Sequence, residues 1–164
     1  MNSFILGFLA IAVNATLTVK SPAFKDKDFI PSKYTCDGLN INPPLTIGDI
    51  PKTTQSIALV VDDPDAPKGT FDHWIMWNIP PLAQIDEGST PGTQGENGKK
   101  ENKYTGPCPP SGTHHYHFKV YALDSMLDLP VGTDKKALER AMKGHIIAFG
   151  ELTGMYKKQL HAEK

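Results

Sequence analysis

A chain of 164 residues, 39% of them hydrophobic, can bury one sizeable core and is too short for several. Its formal net charge of −1 leaves no broad basic field, and lysines gather only in pairs such as Lys99-Lys100 and Lys157-Lys158, which argues against a nucleic-acid binder. Fourteen prolines and fourteen glycines imply many turns between short elements, so the composition suits a mainly β architecture better than a helical bundle.

At the amino end, residues 4–13 form an unbroken apolar run, too short to span a bilayer and suited to the h-region of a secretory signal. Val13-Asn14-Ala15 then offers small residues to signal peptidase. Residues 1–15 therefore read as a signal peptide and 16–164 as a single domain, exported to a periplasm or secreted. No Lys or Arg precedes the run, so the alternative is a first strand or buried helix of a cytoplasmic protein. Cys36 and Cys108 each sit in a Pro/Gly-rich loop. They are either one disulfide of an exported chain or two reduced, partly buried thiols, and are too few for a structural zinc site.

Residues 56–61 are apolar and β-branched, bounded by polar turns, and read as a buried central strand. Residues 73–79 read as a second strand, apolar on both faces and stopped by Pro80-Pro81. Residues 84–104 are polar and Gly-rich without a period, so a long surface loop is expected there. In residues 116–123, Tyr116, Phe118, Val120 and Ala122 alternate with His117, Lys119, Tyr121 and Leu123, which marks a third strand. Ala137, Leu138, Ala141 and Met142 follow Thr133-Asp134 at helical spacing, predicting one amphipathic helix capped by Thr133 and stopped at Gly144. A fourth strand is expected over 146–152, and no internal repeat occurs.

The chemistry gathers where these elements end. In Asp63-Pro64-Asp65-Ala66-Pro67 the prolines stiffen the turn and hold its carboxylates at low entropic cost. Asp63, at the strand end, is placed to wall a pocket, whereas Asp65 reads as a turn capper. His73 opens the second strand, and a lone histidine there is ordinarily structural. Its weight rises because His114 and Tyr116, two residues apart, share one face of a strand entered from another rigid segment. His115-x-His117 on the opposite face is the kind of pair that holds a catalytic metal in some β-sheet enzymes, but the segment that follows supplies no Glu. No Gly-x-Ser-x-Gly elbow and no Gly-rich phosphate loop is present.

Several motifs in order, Lys33-Tyr34-Thr35-Cys36-Asp37-Gly38, Asp63-Pro64-Asp65-Ala66-Pro67, His73-Trp74, Gly106-Pro107-Cys108-Pro109-Pro110 with His114-His115-Tyr116, and the tail from His145 to Tyr156, closely resemble the phosphatidylethanolamine-binding protein family. The likeness is to its prokaryotic, Raf kinase inhibitor-like branch and runs from about Leu17 to Tyr156. It implies a β-sandwich of two antiparallel sheets with a few peripheral α-helices, and a small preformed pocket for phosphate-like anions or phospholipid headgroups. Carried onto this chain, that pocket takes Asp63, His73, Pro107, Pro109, His114 and Tyr116, with Asp65 and Pro110 supporting it.

The resemblance implies a non-enzymatic binding protein, with no cofactor and no metal. The second class is an interaction module that inhibits a protease or a kinase-type partner through the 84–104 loop, and the least favoured is a His-ligated metal enzyme. Oligomeric state stays open between monomer and homodimer. Eukaryotic members have Arg where this chain has His115, so their interactions at that corner do not carry over. Nor does a C-terminal gate.

Overall fold

The computed structural model describes residues 15–159. The signal-peptide reading of residues 1–15 falls almost entirely outside them. Among the described residues no helix is long and apolar enough to cross a membrane.

Ten strands, one α-helix and one short 3-10 turn follow in order: β1 (Ala15–Thr16), β2 (Thr18–Lys20), β3 (Asp28–Phe29), the turn Ser32–Tyr34, β4 (Leu45–Gly48), β5 (Ser56–Asp63), β6 (Phe71–Ile79), β7 (Gln84–Ile85), β8 (Thr93–Gln94), β9 (Thr113–Leu123), α1 (Lys135–Met142) and β10 (Ile146–Lys157). The larger sheet runs β1-β10-β9-β5-β6-β8, with β3 also on β10, and the smaller runs β2-β4-β7. Pairing is antiparallel except where β1 and β3 join β10 in parallel.

Alternation along the strands builds two cores. Ile57, Leu59 and Val61 of β5, with Phe118, Val120 and Ala122 of β9, face the smaller sheet and pack with Val19, Leu45, Ile47 and Ile85. Ala58 and Val60 point the other way, with Ile75 and Trp77, onto Leu138 and Met142 of α1. Every residue of β5 is therefore buried, which is why its sequence is an apolar run rather than an alternation.

Two expectations need correction. The helix, the one α-helix among the described residues, is capped by Asp134, whose carboxylate accepts the Ala137 N–H at 2.8 Å, while the Thr133 hydroxyl donates back to Pro130. The segment 84–104 is not a free loop: it supplies β7 and β8, buries Ile85, Asn97 and Tyr104, and lies across both sheets. Deleting it to test for partner capture would remove part of the core.

Candidate functional site

Asp62 and Asp63 end β5 on opposite faces. Asp62 follows Val60 toward the helix, where it meets Lys119 at 2.9 Å and Lys135 at 2.6 Å. Asp63 follows Val61 to the other face, at the end of the sheet where the smaller sheet stops covering it. There the starts of β6 and β9 and the 105–110 loop surround a cavity of about 380 Å³.

His73 reaches this cavity through a bulge. Trp74 pairs with Val61, but Asp72 pairs with Asp62, leaving His73 as an extra residue opposite the pair. Strict alternation from Trp77 and Ile75 would have aimed His73 at the helix. The bulge instead turns it beside Trp74 toward the pocket, with its ring edge-on to Phe71 at 4.8 Å and to Tyr116 at 5.2 Å between centroids. Its Nδ1 donates to the Thr105 carbonyl at 2.7 Å. Burial pushes the imidazole pKa down, the Thr105 bond and Asp63 offset this only in part, and the net value lies below the ordinary 6.5.

His114 Nδ1 lies 2.7 Å from Asp63 Oδ2, both side chains almost wholly enclosed. The other Asp63 oxygen accepts the Asp65 N–H at 2.8 Å, which closes the turn after β5. Asp65 points outward and accepts both the backbone N–H and the Nδ1 of His115, at 2.9 and 2.7 Å. These bonds hold its carboxyl below the usual range, and they tie the turn to β9. Tyr116, on the cavity wall, has a buried hydroxyl with no hydrogen-bond partner in the protein. Burial first, and then the nearby Asp63 and Asp65 carboxylates, raise its pKa far above normal, so the phenol keeps its proton.

The 105–110 loop is fastened from below. Cys108, on the cavity wall, is bonded to Cys36, and the Cys36 N–H donates to the Pro107 carbonyl at 3.1 Å. The Tyr104 hydroxyl donates to Tyr34 O at 2.8 Å, and Gly106 N–H to Asn40 Oδ1 at 2.7 Å. A Cβ on Gly106 would lie 2.4 Å from the Tyr34 carbonyl, so only glycine allows this approach.

The structure thus brings Asp63, His73, Pro109, Pro110, His114 and Tyr116 to one cavity. Pro107 and Asp65 do not line it: Pro107 is buried behind the disulfide loop and Asp65 braces from outside. The sequence reading missed Phe71, Lys68 and Lys99 on the walls. Lys99 comes from the 84–104 segment, where Asn97 organises a tight turn by accepting from Lys99 N and donating to Lys103 O, both at 2.8 Å. Gly98 N–H then anchors the turn to Asp72 O of β6 at 2.8 Å. Asn97-Gly98 was the available signal, a turn dipeptide beside paired lysines. Among the described residues no cluster of three or more His, Cys, Asp or Glu is placed to hold a metal. His115 and His117 each bond a carboxylate, Asp65 and Glu151.

A profile described as phosphatidylethanolamine-binding protein matches residues 20–157. A UPF0098 protein of Pyrococcus horikoshii is 50% identical over 150 residues, covering 85% of this chain and 76% of that protein. One of Methanothermobacter thermautotrophicus is 43% identical, covering 87% and 99%. Among solved structures, a phosphatidylethanolamine-binding protein homologue from Chlamydia trachomatis superposes with a TM-score of 0.85 at 42% identity, over 89% of this chain and 99% of that one. YbcL of Escherichia coli, described as a new member of the mammalian family, gives 0.79 at 30%, over 88% and 100%.

Proposed function

The chain belongs to the phosphatidylethanolamine-binding protein family, and from that premise we propose that it is a binding protein, not a catalyst, whose pocket takes a phosphate-like anion or a phospholipid headgroup. The observation that carries this reading is the Tyr116 hydroxyl, buried on the cavity wall with its proton and no acceptor. An unpaired buried hydroxyl costs about 1–3 kcal/mol, and an anionic oxygen would remove that cost. Lys68 and Lys99 add two cationic side chains to the lining against the single carboxylate of Asp63, which is already engaged by His114 and Asp65. The pocket is also preformed, since a disulfide and four loop hydrogen bonds hold its floor before any ligand arrives.

Calorimetric titration of the full chain with phosphate, phosphoethanolamine and a short-chain phospholipid tests the reading, beside a His73→Ala, His114→Ala double variant. Saturable binding by the parent and none by the variant is the expected result. A folded parent that binds none of the three at millimolar concentration would demote the cavity to a packing feature.

A further inference from the structure

We propose that the pocket selects phosphomonoesters in their protonated form, with the ligand's P–OH donating to His73 Nε2, and so discriminates against sulfate and against phosphodiesters. The inference rests on the anion-pocket reading above and names the ligand class of that same site.

It starts from a tautomer. The Thr105 carbonyl can only accept, so the His73 nitrogen 2.7 Å from it carries the hydrogen. In the neutral ring the lone pair then sits on Nε2. No group among the described residues bonds to that nitrogen, and the ring forms part of the cavity wall. The wall of an anion site therefore presents an acceptor where a donor would be expected.

No neighbour converts it into a donor. Asp63, Lys68, Asp72, Lys99, His114 and the Tyr116 hydroxyl are the titratable and charged groups of this cavity and of the strands around the ring. Asp63 is bonded to His114 and to Asp65 N–H. Asp72 lies 3.1 Å from Lys135 on the helix side. Tyr116 packs against His73 in a T-shaped ring contact, and its hydroxyl donates to nothing in the protein. Burial opposes charging the ring from solvent.

A fully deprotonated oxyanion would set its oxygen against the Nε2 lone pair. A hydrogen phosphate group offers both polarities at once: one P–OH for Nε2, and bare oxygens for the Tyr116 hydroxyl and the lysines. Monoesters have a second pKa of about 6, so they can carry this proton near neutrality. Sulfate has none to offer there, nor does a phosphodiester. Above the ligand's second pKa the complex must then take up one proton, and affinity falls about tenfold per pH unit.

The test is titration calorimetry on the full chain at pH 6, 7 and 8, in paired buffers of different ionisation enthalpy. The probes are phosphoethanolamine, short-chain phosphatidic acid, short-chain phosphatidylethanolamine and inorganic sulfate. Uptake of about one proton at pH 8, with sulfate and the diester at least about tenfold weaker than the monoesters, is expected. Phosphoethanolamine and phosphatidic acid separate a free from a lipid-borne monoester. His73→Gln, whose amide can turn a donor to the anion, should abolish the uptake and level phosphoethanolamine with sulfate. Should that variant not fold, the parent's buffer series still decides. Monoester binding without proton uptake, or sulfate bound equally well, overturns this inference and leaves the pocket reading standing. Binding of no probe overturns both.

Discussion

Asp62 and Asp63 are adjacent on β5, equally sheltered from solvent, and turned to opposite faces of the sheet. Burial alone would push the Asp62 carboxyl up, but Lys135 and Lys119 close on one of its oxygens and bring it below its ordinary 3.8. Asp63 meets no lysine at bonding distance; it meets an imidazole and a backbone N–H, beside a cavity whose tyrosine hydroxyl is unsatisfied. One carboxylate is held by two lysines beneath a helix, its second oxygen buried without a partner. The other has both oxygens bonded and stands at an open end beside the unsatisfied Tyr116 hydroxyl, and spare capacity in a cavity is what a ligand can use.

The largest effect expected from testing this contrast lies on the pocket side. Cys36→Ser with Cys108→Ser removes a link across 72 residues of sequence, which the chain-entropy model values at about 4 kcal/mol. Urea denaturation should show that loss, and anion affinity should drop with it because Cys108 is part of the wall. A loss below about 1 kcal/mol would mean that the Tyr104, Gly106 and Cys36 hydrogen bonds hold the loop without the disulfide.

Next in size is the helix face. Asp62→Asn strips the counter-charge from Lys119 and Lys135 and should cost about 3 kcal/mol, with anion affinity unchanged. Equal damage to binding would show that the two faces are coupled and break the contrast. Acid titration sharpens it further. His73 has its folded pKa depressed, so its neutral form is favoured in the fold, and stability should begin to fall as pH drops through 6.5. Asp62 also has a depressed folded pKa, but its ionised form stabilises, so that contribution is lost as pH falls below 3.8. Thermal melts against pH should show both limbs in the parent, a shallower lower limb in Asp62→Asn, where Asp65 and Glu87 still contribute, and no upper limb in His73→Gln. Smaller again is Asp134→Ala, which removes the α1 cap bond and should cost about 1 kcal/mol without touching the pocket.

Much of this was legible from residues. The apolar run of β5, the alternation in β9 and the helical spacing before Gly144 each carry a period that survives into the structure. The motif order gave the family as well. His73 was expected to open its strand, which in the structure begins two residues earlier at Phe71, and its aim depends on a bulge set by pairing with β5 that no local pattern encodes. Lys99 arrives through a turn anchored on Asp72, a contact between segments far apart in sequence. The strands β1 to β4 are two to four residues long, too short for any period, and hold their places by pairing with β10 or within the smaller sheet. Cys36 and Cys108 left pairing open because spacing alone carries no distance.

Tyr116→Phe should have the smallest effect on stability and is the most informative about the pocket. The substitution keeps the ring that packs against His73 and deletes only a hydroxyl that the protein leaves unbonded. Removing an unsatisfied buried group of this kind is neutral or stabilising by about 1 kcal/mol, so the melting temperature should hold or rise. Anion affinity should fall about tenfold, the worth of one hydrogen bond to a charged acceptor. A residue kept only for packing predicts the first half without the second, and one whose hydroxyl is bridged by bound water predicts a loss of stability. Gain in one property with loss in the other is the signature of a group held in reserve for a ligand, which is what separates the Asp63 end of β5 from the Asp62 face beside it.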